Sequence, residues 1–317
     1  TVETEDGETY MYDELLLATG GTPRTLPFEE PPGVHHLWEI ERDGDPLHRD
    51  LERAERGIVI GGGLLGFDLV GCFVGADVDT TYLIREPHWW HSVLDGTGGA
   101  IVHDAMRDHG IDVRAGEEAT GMARADGRVQ VATGADTHES DVVGVAIGND
   151  LNTALADESG LETGTGIVTD DHLRTDDPHI YAAGDVAEYR DPVLERTNIG
   201  GSWVTAEAQG KVAGRNMAGG DAAAEFVDTY TVTHFDLNVA SLGDPVAEDD
   251  ARVVVAADRD DRTYRKVVVE DGRIVGAALI NRMQEMHDLK QLILQKMDVS
   301  GSIDRLEDPG FSAGDLR

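Results

Sequence analysis

The residues of this chain best placed to do chemistry are small ones, set where apolar strands end. Ile58-Val59-Ile60 runs into Gly61-Gly62-Gly63-Leu64-Leu65-Gly66, Leu15-Leu16-Leu17 into Ala18-Thr19-Gly20, and Ile180-Tyr181-Ala182-Ala183 into Gly184-Asp185. Side chains this small let a ligand come against backbone N–H groups. In the middle stretch Gly61 permits the tight turn, Gly63 lets a pyrophosphate approach the backbone, and Gly66 lets helix pack closely on strand. Leu64 and Leu65 would open that helix, whose N-terminus carries partial positive charge suited to phosphates. The spacing implies dinucleotide binding. A purely structural glycine turn is the alternative, disfavoured by the apolar strand before it and the apolar helix after it.

Other candidates are more open. Asp185, at the tip of a strand, can accept hydrogen bonds from a polyol, or simply cap the element that follows. Trp203, Ala206 and Gln209 fall on the next helix, near an N-terminus able to favour a ring that takes up negative charge. Trp203 as ordinary core competes with that reading. At the end of the second strand of the nucleotide unit, an acid would bind a ribose hydroxyl and an arginine a 2′-phosphate. The chain has Ile84 there, then Arg85 and Glu86. That leans to NADP, although Arg85 could be a surface arginine paired with Glu86. His88, His91, His103 and His109 do not share a metal-binding spacing, and no metal is expected. Around Trp89-Trp90 an aromatic cluster against a cofactor is possible, and ordinary packing is favoured. Cys72, the single cysteine, reads as a buried small apolar residue and excludes any disulfide within these residues.

The elements needed to position these residues follow from the pattern. Strands are predicted at 14–18, 57–60, 78–84, 111–115 and 141–147, helices at 64–74 and 98–109, with a meander over 116–133 turning at Asp126-Gly127. A Pro-, Gly- and charge-rich stretch over 27–54 reads as a linker. Short strands at 166–168 and 180–183 and a helix at 202–217 return to the first unit. Beyond Gly219-Gly220, strands at 229–234, 251–256, 264–270 and 273–280 and a helix at 286–297 form a separate α+β unit, with 303–317 as a tail. The fold class is α/β: two Rossmann-like nucleotide domains, one inserted in the other, plus a small C-terminal α+β domain. The expected limits are 1–32 with 149–222 for the outer domain, 33–148 for the insert and 226–317 for the last.

Charge narrows the setting. The 317 residues carry 62 Asp and Glu against 26 Lys and Arg, a formal charge of −36, and only Lys211, Lys266, Lys290 and Lys296 are lysines. The acid is spread through every loop, so self-repulsion would strain the chain at low ionic strength and salt would relieve it. A salt-adapted, halophile-like cytoplasm is the simplest expectation. Nucleic acid is disfavoured as a partner because phosphate contact needs clustered cations. No apolar run approaches the roughly 20 residues of a membrane helix.

Taken together, Ala18-Thr19-Gly20, the triple-glycine turn and Gly184-Asp185 resemble the FAD-dependent pyridine nucleotide-disulfide oxidoreductase superfamily. The similarity is to its branch of ferredoxin and rubredoxin reductases, NADH oxidases and nitrite reductase flavin portions. The resemblance implies FAD and NAD(P)H as cofactors. Ala18, Thr19 and Gly20 would lie beside FAD, Gly184 and Asp185 would hold its ribityl chain, and Gln209 and Gly210 would belong to the helix beneath it. Gly61, Gly63 and Gly66 would bind NAD(P)H, Asp68 stands where the family usually has Glu, and Gly148 opens a return hinge. It further implies that the βαβ unit for the ADP half of FAD precedes Thr1. The expected activity is hydride transfer from NAD(P)H to flavin, with electrons leaving to a carrier protein or small oxidant; no catalytic side chain is identified. A homodimer is compatible. The alternative is a non-catalytic NAD(P)-binding remnant or sensor without the flavin half.

Overall fold

The computed structural model describes residues 1–37, 40–247, 250–308 and 310–316, so the part of the expected linker at 38–39 lies outside it. The chain divides into two compact units. The first comprises Thr1–Thr22, Leu151–Tyr230 and Lys290–Met297; the second comprises Pro23–Asp150, Thr231–Leu289 and Asp298–Arg317.

The second unit is built on a five-stranded parallel sheet. Its spatial order is Val34–His36, Val142–Val145, Arg56–Ile60, Asp79–Ile84 and Asp112–Ala115. Register sets Ile60 beside both Val145 and Leu83, so the carboxyl ends of the three central strands lie together. Ligands of open parallel sheets bind outside such ends. Ile58, Ile60, Leu83, Val143 and Val145 are buried in one core cluster with Val129 and Val131 of the meander. The helix Leu64–Gly75 has almost no polar face and buries Phe67, Leu69, Val70 and Phe73. Asp126 and Gly127 both take positive φ, 51° and 84°, as a two-residue hairpin turn requires.

Two expectations for this unit need correction. Val34–His36 lies inside the stretch read as linker, yet it pairs in parallel with Val142–Val145, and the helix Asp45–Leu51 follows it. Pro31-Pro32-Gly33 disguises a strand only three residues long. Residues 303–316 are not a loose tail. Ile303, Leu306, Phe311 and Ala313 are buried, and the fully buried Arg265 donates to the carbonyls of Leu306 and Phe311 at 2.5 and 2.7 Å. A buried guanidinium needs a counter-charge and acceptors for its donors; Glu285 Oε2, at 2.6 Å from Nη1, supplies the charge and these carbonyls further acceptors. The antiparallel sheet of this region has five strands, because Leu237–Gly243 joins the four expected ones.

In the first unit Leu15–Leu17 pairs in parallel with Ile180–Ala182. Leu17 and Ala182 pack with Ile167, Ile180, Val186 and Ala187. The unanticipated strands Ala187–Asp191 and Arg196–Ile199 continue past Gly184-Asp185, and Ile167–Thr169 pairs with the first of them. The helix Trp203–Met217 is capped by Ser202, whose hydroxyl accepts from the Thr205 N–H at 3.1 Å. Among the described residues no helix is long and apolar enough to cross a membrane.

Candidate cofactor sites

Each unit carries its own cavity at the carboxyl ends of its parallel strands. In the second unit a cavity of about 660 Å³ surrounds the glycine turn. Gly61 sits at φ +125°, and a Cβ there would lie 1.9 Å from the Ala146 carbonyl oxygen. A Cβ on Gly66 would lie 2.0 Å from the Gly61 oxygen. These two glycines are required by the chain's own backbone. Gly63 differs: a Cβ there would meet nothing within 4 Å. It is the N-cap of Leu64–Gly75, has an extended backbone and no side-chain cap, and no acid occupies the first turn. The first N–H groups of the helix therefore lack a side-chain acceptor, which suits an anion.

The turn is held from behind. Tyr82 Oη donates to the Gly61 oxygen at 2.6 Å, Trp89 Nε1 to the Gly63 oxygen at 3.0 Å, and the Trp90 N–H to the Gly62 oxygen at 2.8 Å. Trp89 is fully buried, its ring 4.7 Å from that of Phe67, and its own N–H donates to His103 Nε2 at 3.1 Å. Burial pulls the His103 pKa down to about 4, with Arg107 and His88 acting the same way. The aromatic cluster thus serves the site as a brace. Tyr82 and His103 were missed as supports, because nothing in sequence spacing links them to the turn.

Gly61, Gly63, Arg85 and Gly148 line this cavity. Gly148 has φ +101° and its carbonyl accepts from the Arg24 N–H at 2.9 Å. Leu64 is half-buried, Leu65 is exposed, and both stay out of the lining. Asp68 also lies elsewhere, accepting from His234 Nε2 at 3.0 Å. Cys72 is exposed, contrary to expectation, because the helix turns it away from the face that buries Phe73.

The cavity of the first unit measures about 310 Å³. Ala18, Gly20, Gly184, Asp185 and Ala206 contribute to its walls, so residues from three separate stretches converge. Pairing of Leu17 with Ala182 brings the first two stretches together, and the Ala183 N–H donates to the Leu17 oxygen at 3.1 Å. Gly20 and Gly184 both hold positive φ, 60° and 82°. A Cβ on Gly184 would only touch Ala206 at 3.9 Å. Gln209 stands behind the wall: its Oε1 accepts from the Gly184 N–H at 2.7 Å, while its buried Nε2 has no partner. Asp185 is half-buried; burial, then the neighbouring Asp228, raises its carboxyl pKa.

Thr19 takes part through Asn152. Its hydroxyl donates to the Asn152 oxygen at 2.7 Å, and Asn152 Nδ2 returns a bond to the Thr19 oxygen at 2.9 Å. This clamp fixes the Ala18–Gly20 turn. Trp203 is neither core nor wall, since 85% of it is exposed.

Both cavities fit the groups implied for them. One offers an uncapped helix N-terminus with open space above Gly63; the other offers small walls, a half-buried carboxyl and an orphaned amide.

Comparison with known proteins agrees with this geometry. The family model described as pyridine nucleotide-disulphide oxidoreductase matches residues 1–210, and that of the rubredoxin NAD+ reductase C-terminal domain matches 231–297. A probable ferredoxin reductase of Castellaniella defragrans is 30% identical over 97% of this chain and 75% of its own length. An NAD(P)H nitrite reductase of Bacillus subtilis is 29% identical over 95% of this chain, which spans 37% of that protein. A putidaredoxin reductase solved covalently joined to putidaredoxin superposes with a TM-score of 0.89 at 25% identity, covering 98% of this chain and 76% of that one.

Proposed function

The chain belongs to the pyridine nucleotide-disulphide oxidoreductase family, and we propose that it acts as an FAD-dependent NAD(P)H oxidoreductase. The observation that carries this reading is the pair of distinct cradles, one in each unit, each at the carboxyl ends of parallel strands. When bound, FAD would supply the two-electron acceptor for a hydride from the nicotinamide. The chain's own residues do the holding. N–H groups at the start of Leu64–Gly75 take the pyrophosphate of NAD(P)H, with Gly63 leaving room for it. Asp185 accepts from the hydroxyls of a polyol chain, and Gln209 fixes Gly184 beside it. The first turn of Trp203–Met217 would supply partial positive charge to a ring that gains electrons, were one held in this cavity. Hydride transfer needs no side-chain acid or base, so position and field are the protein's contribution.

Electrons would leave to a carrier protein, a reading supported by the similarity to a reductase solved with its carrier and by the rubredoxin reductase-type C-terminal region. The test is the visible spectrum of the purified full-length protein. A flavin band that bleaches on adding NAD(P)H is expected. A colourless protein that still binds NADH would overturn the oxidoreductase reading in favour of a nucleotide-binding one.

A further inference from the structure

We propose that Lys266, on an inner strand of the antiparallel sheet, is a positioning residue for NAD(P)H: it holds the Trp90–Val93 turn in the shape that walls the nucleotide cavity. This rests on the reading of that cavity given above. Trp90, His91 and Ser92 all line it. The chain does not adopt their turn at ease. Trp90 has φ +51°, a left-handed backbone that is costly for a bulky side chain and persists only where surrounding contacts fix it. At the near end the Trp90 N–H donates to the Gly62 oxygen at 2.8 Å. Within the turn the Val93 and Leu94 N–H groups both donate to the Trp90 oxygen at 2.9 Å. The far end is held from the antiparallel sheet, where Lys266 Nζ donates to the Val93 oxygen at 2.7 Å.

Strand alternation directs Lys266 there. Thr263–Glu270 lies between two neighbours in its sheet and is buried along almost its whole length. Arg265 points to one face, toward Glu285 and the 303–316 segment, so Tyr264 and Lys266 point to the other. A Cβ on Gly98, in the first turn of the helix Gly96–Asp108, would lie 3.1 Å from the Tyr264 ring. Asp95 caps that helix, accepting from the Thr97 and Gly98 N–H groups at 3.0 and 2.9 Å. Tyr264 and Lys266 thus grip the helix start and the end of the turn that precedes it. Packing alone does not ask for a lysine at this place. Lys266 is 7% exposed; burial depresses its ammonium pKa, and Asp95 and Asp244 offset that only in part. An apolar side chain would fill the space without that cost, but it could not donate to the Val93 carbonyl.

Equilibrium titration of the full-length protein with NADH and with NADPH is the test. Lys266→Met should weaken both by about fivefold to twentyfold, with the thermal transition retained and flavin content unchanged. In turnover the nucleotide KM should rise by a similar factor while kcat stays within about twofold, the pattern of a lost binding contact. Lys266→Gln, whose amide ends one atom short, should behave like Lys266→Met and serves if the apolar variant does not fold. Lys266→Arg keeps a donor of sufficient reach and should bind within about threefold of the parent. Arg259→Ala removes a different tether of the same sheet, its ion pair with Asp104, and should leave both affinities within about twofold. Parent-like binding by Lys266→Met or Lys266→Gln, equal weakening by Arg259→Ala, or loss of folding in both Lys266 variants would overturn the positioning role and leave the cavity assignment standing. Failure of the parent to bind either nucleotide would remove that assignment and this inference with it.

Discussion

The two cradles use glycine for opposite reasons. In the second unit Gly61 and Gly66 are pressed against backbone oxygens, closer than any Cβ could stand. In the first unit Gly20 and Gly184 are there for their positive φ, and the space beside Gly184 is nearly open. One turn is therefore a packing device that also binds. The other is a conformational device whose free volume belongs to a ligand. Substitutions should separate stability from binding differently in the two places.

The largest effect is expected at Gly66. Valine there drives side-chain atoms into the Gly61 carbonyl and Tyr82 Oη, so Gly66→Val should cost about 4 kcal/mol or more. Loss of a cooperative thermal transition, or of soluble protein, is the readout. A stable variant would show that strand and helix can separate at the turn.

Acid should be the next strongest lever, and it acts with opposite sign in the two units. His103 has a folded pKa pulled down to about 4, so the native state binds fewer protons than the unfolded chain between that value and about 6.5. Its contribution is fully present above the unfolded value and is lost as pH falls toward the folded one, by about 3 kcal/mol at most. Asp185 has a raised pKa, so its ionisation opposes folding above the ordinary carboxylate range and acid relieves that cost. His103→Gln, which can still accept from Trp89, should flatten the acid limb of a denaturation-versus-pH profile. An unchanged limb would assign it to other groups.

Gly63→Leu sharpens the contrast within one turn. The position is extended and empty, so stability should stay within about 0.5 kcal/mol while pyridine nucleotide affinity falls at least about tenfold. Unchanged affinity in calorimetric titration would remove Gly63 from the phosphate site. The smallest effect belongs to Asp185→Asn. Flavin retention on dialysis should weaken by several-fold, about 1 kcal/mol, with melting temperature unchanged or slightly raised. A variant that keeps flavin as well as the parent would show that the carboxyl is not a ligand.

Much of this was legible in the sequence. The helix after the triple glycine, the parallel strands feeding it and the Asp126-Gly127 hairpin all follow from local chemistry, because apolar periodicity and positive-φ turns are decided within a few residues. Short-range patterns failed where partners are distant. Val34–His36 looks like linker until Val142–Val145 pairs with it, and 303–316 looks like a tail until Arg265 needs its carbonyls. Asp68 and Trp203 illustrate the same limit at the sites: the family resemblance placed one and its position near a helix N-terminus the other beside a cofactor, whereas in the fold Asp68 accepts from His234 and Trp203 is exposed.

Sequence alone determined that strands end in small residues, since only glycine or alanine permits those turns and approaches. Tertiary structure decided which of these turns converge, which side chains brace them and which way each carboxylate faces. Those outcomes depend on pairing and burial between residues far apart in the chain, and such interactions leave no mark on local spacing.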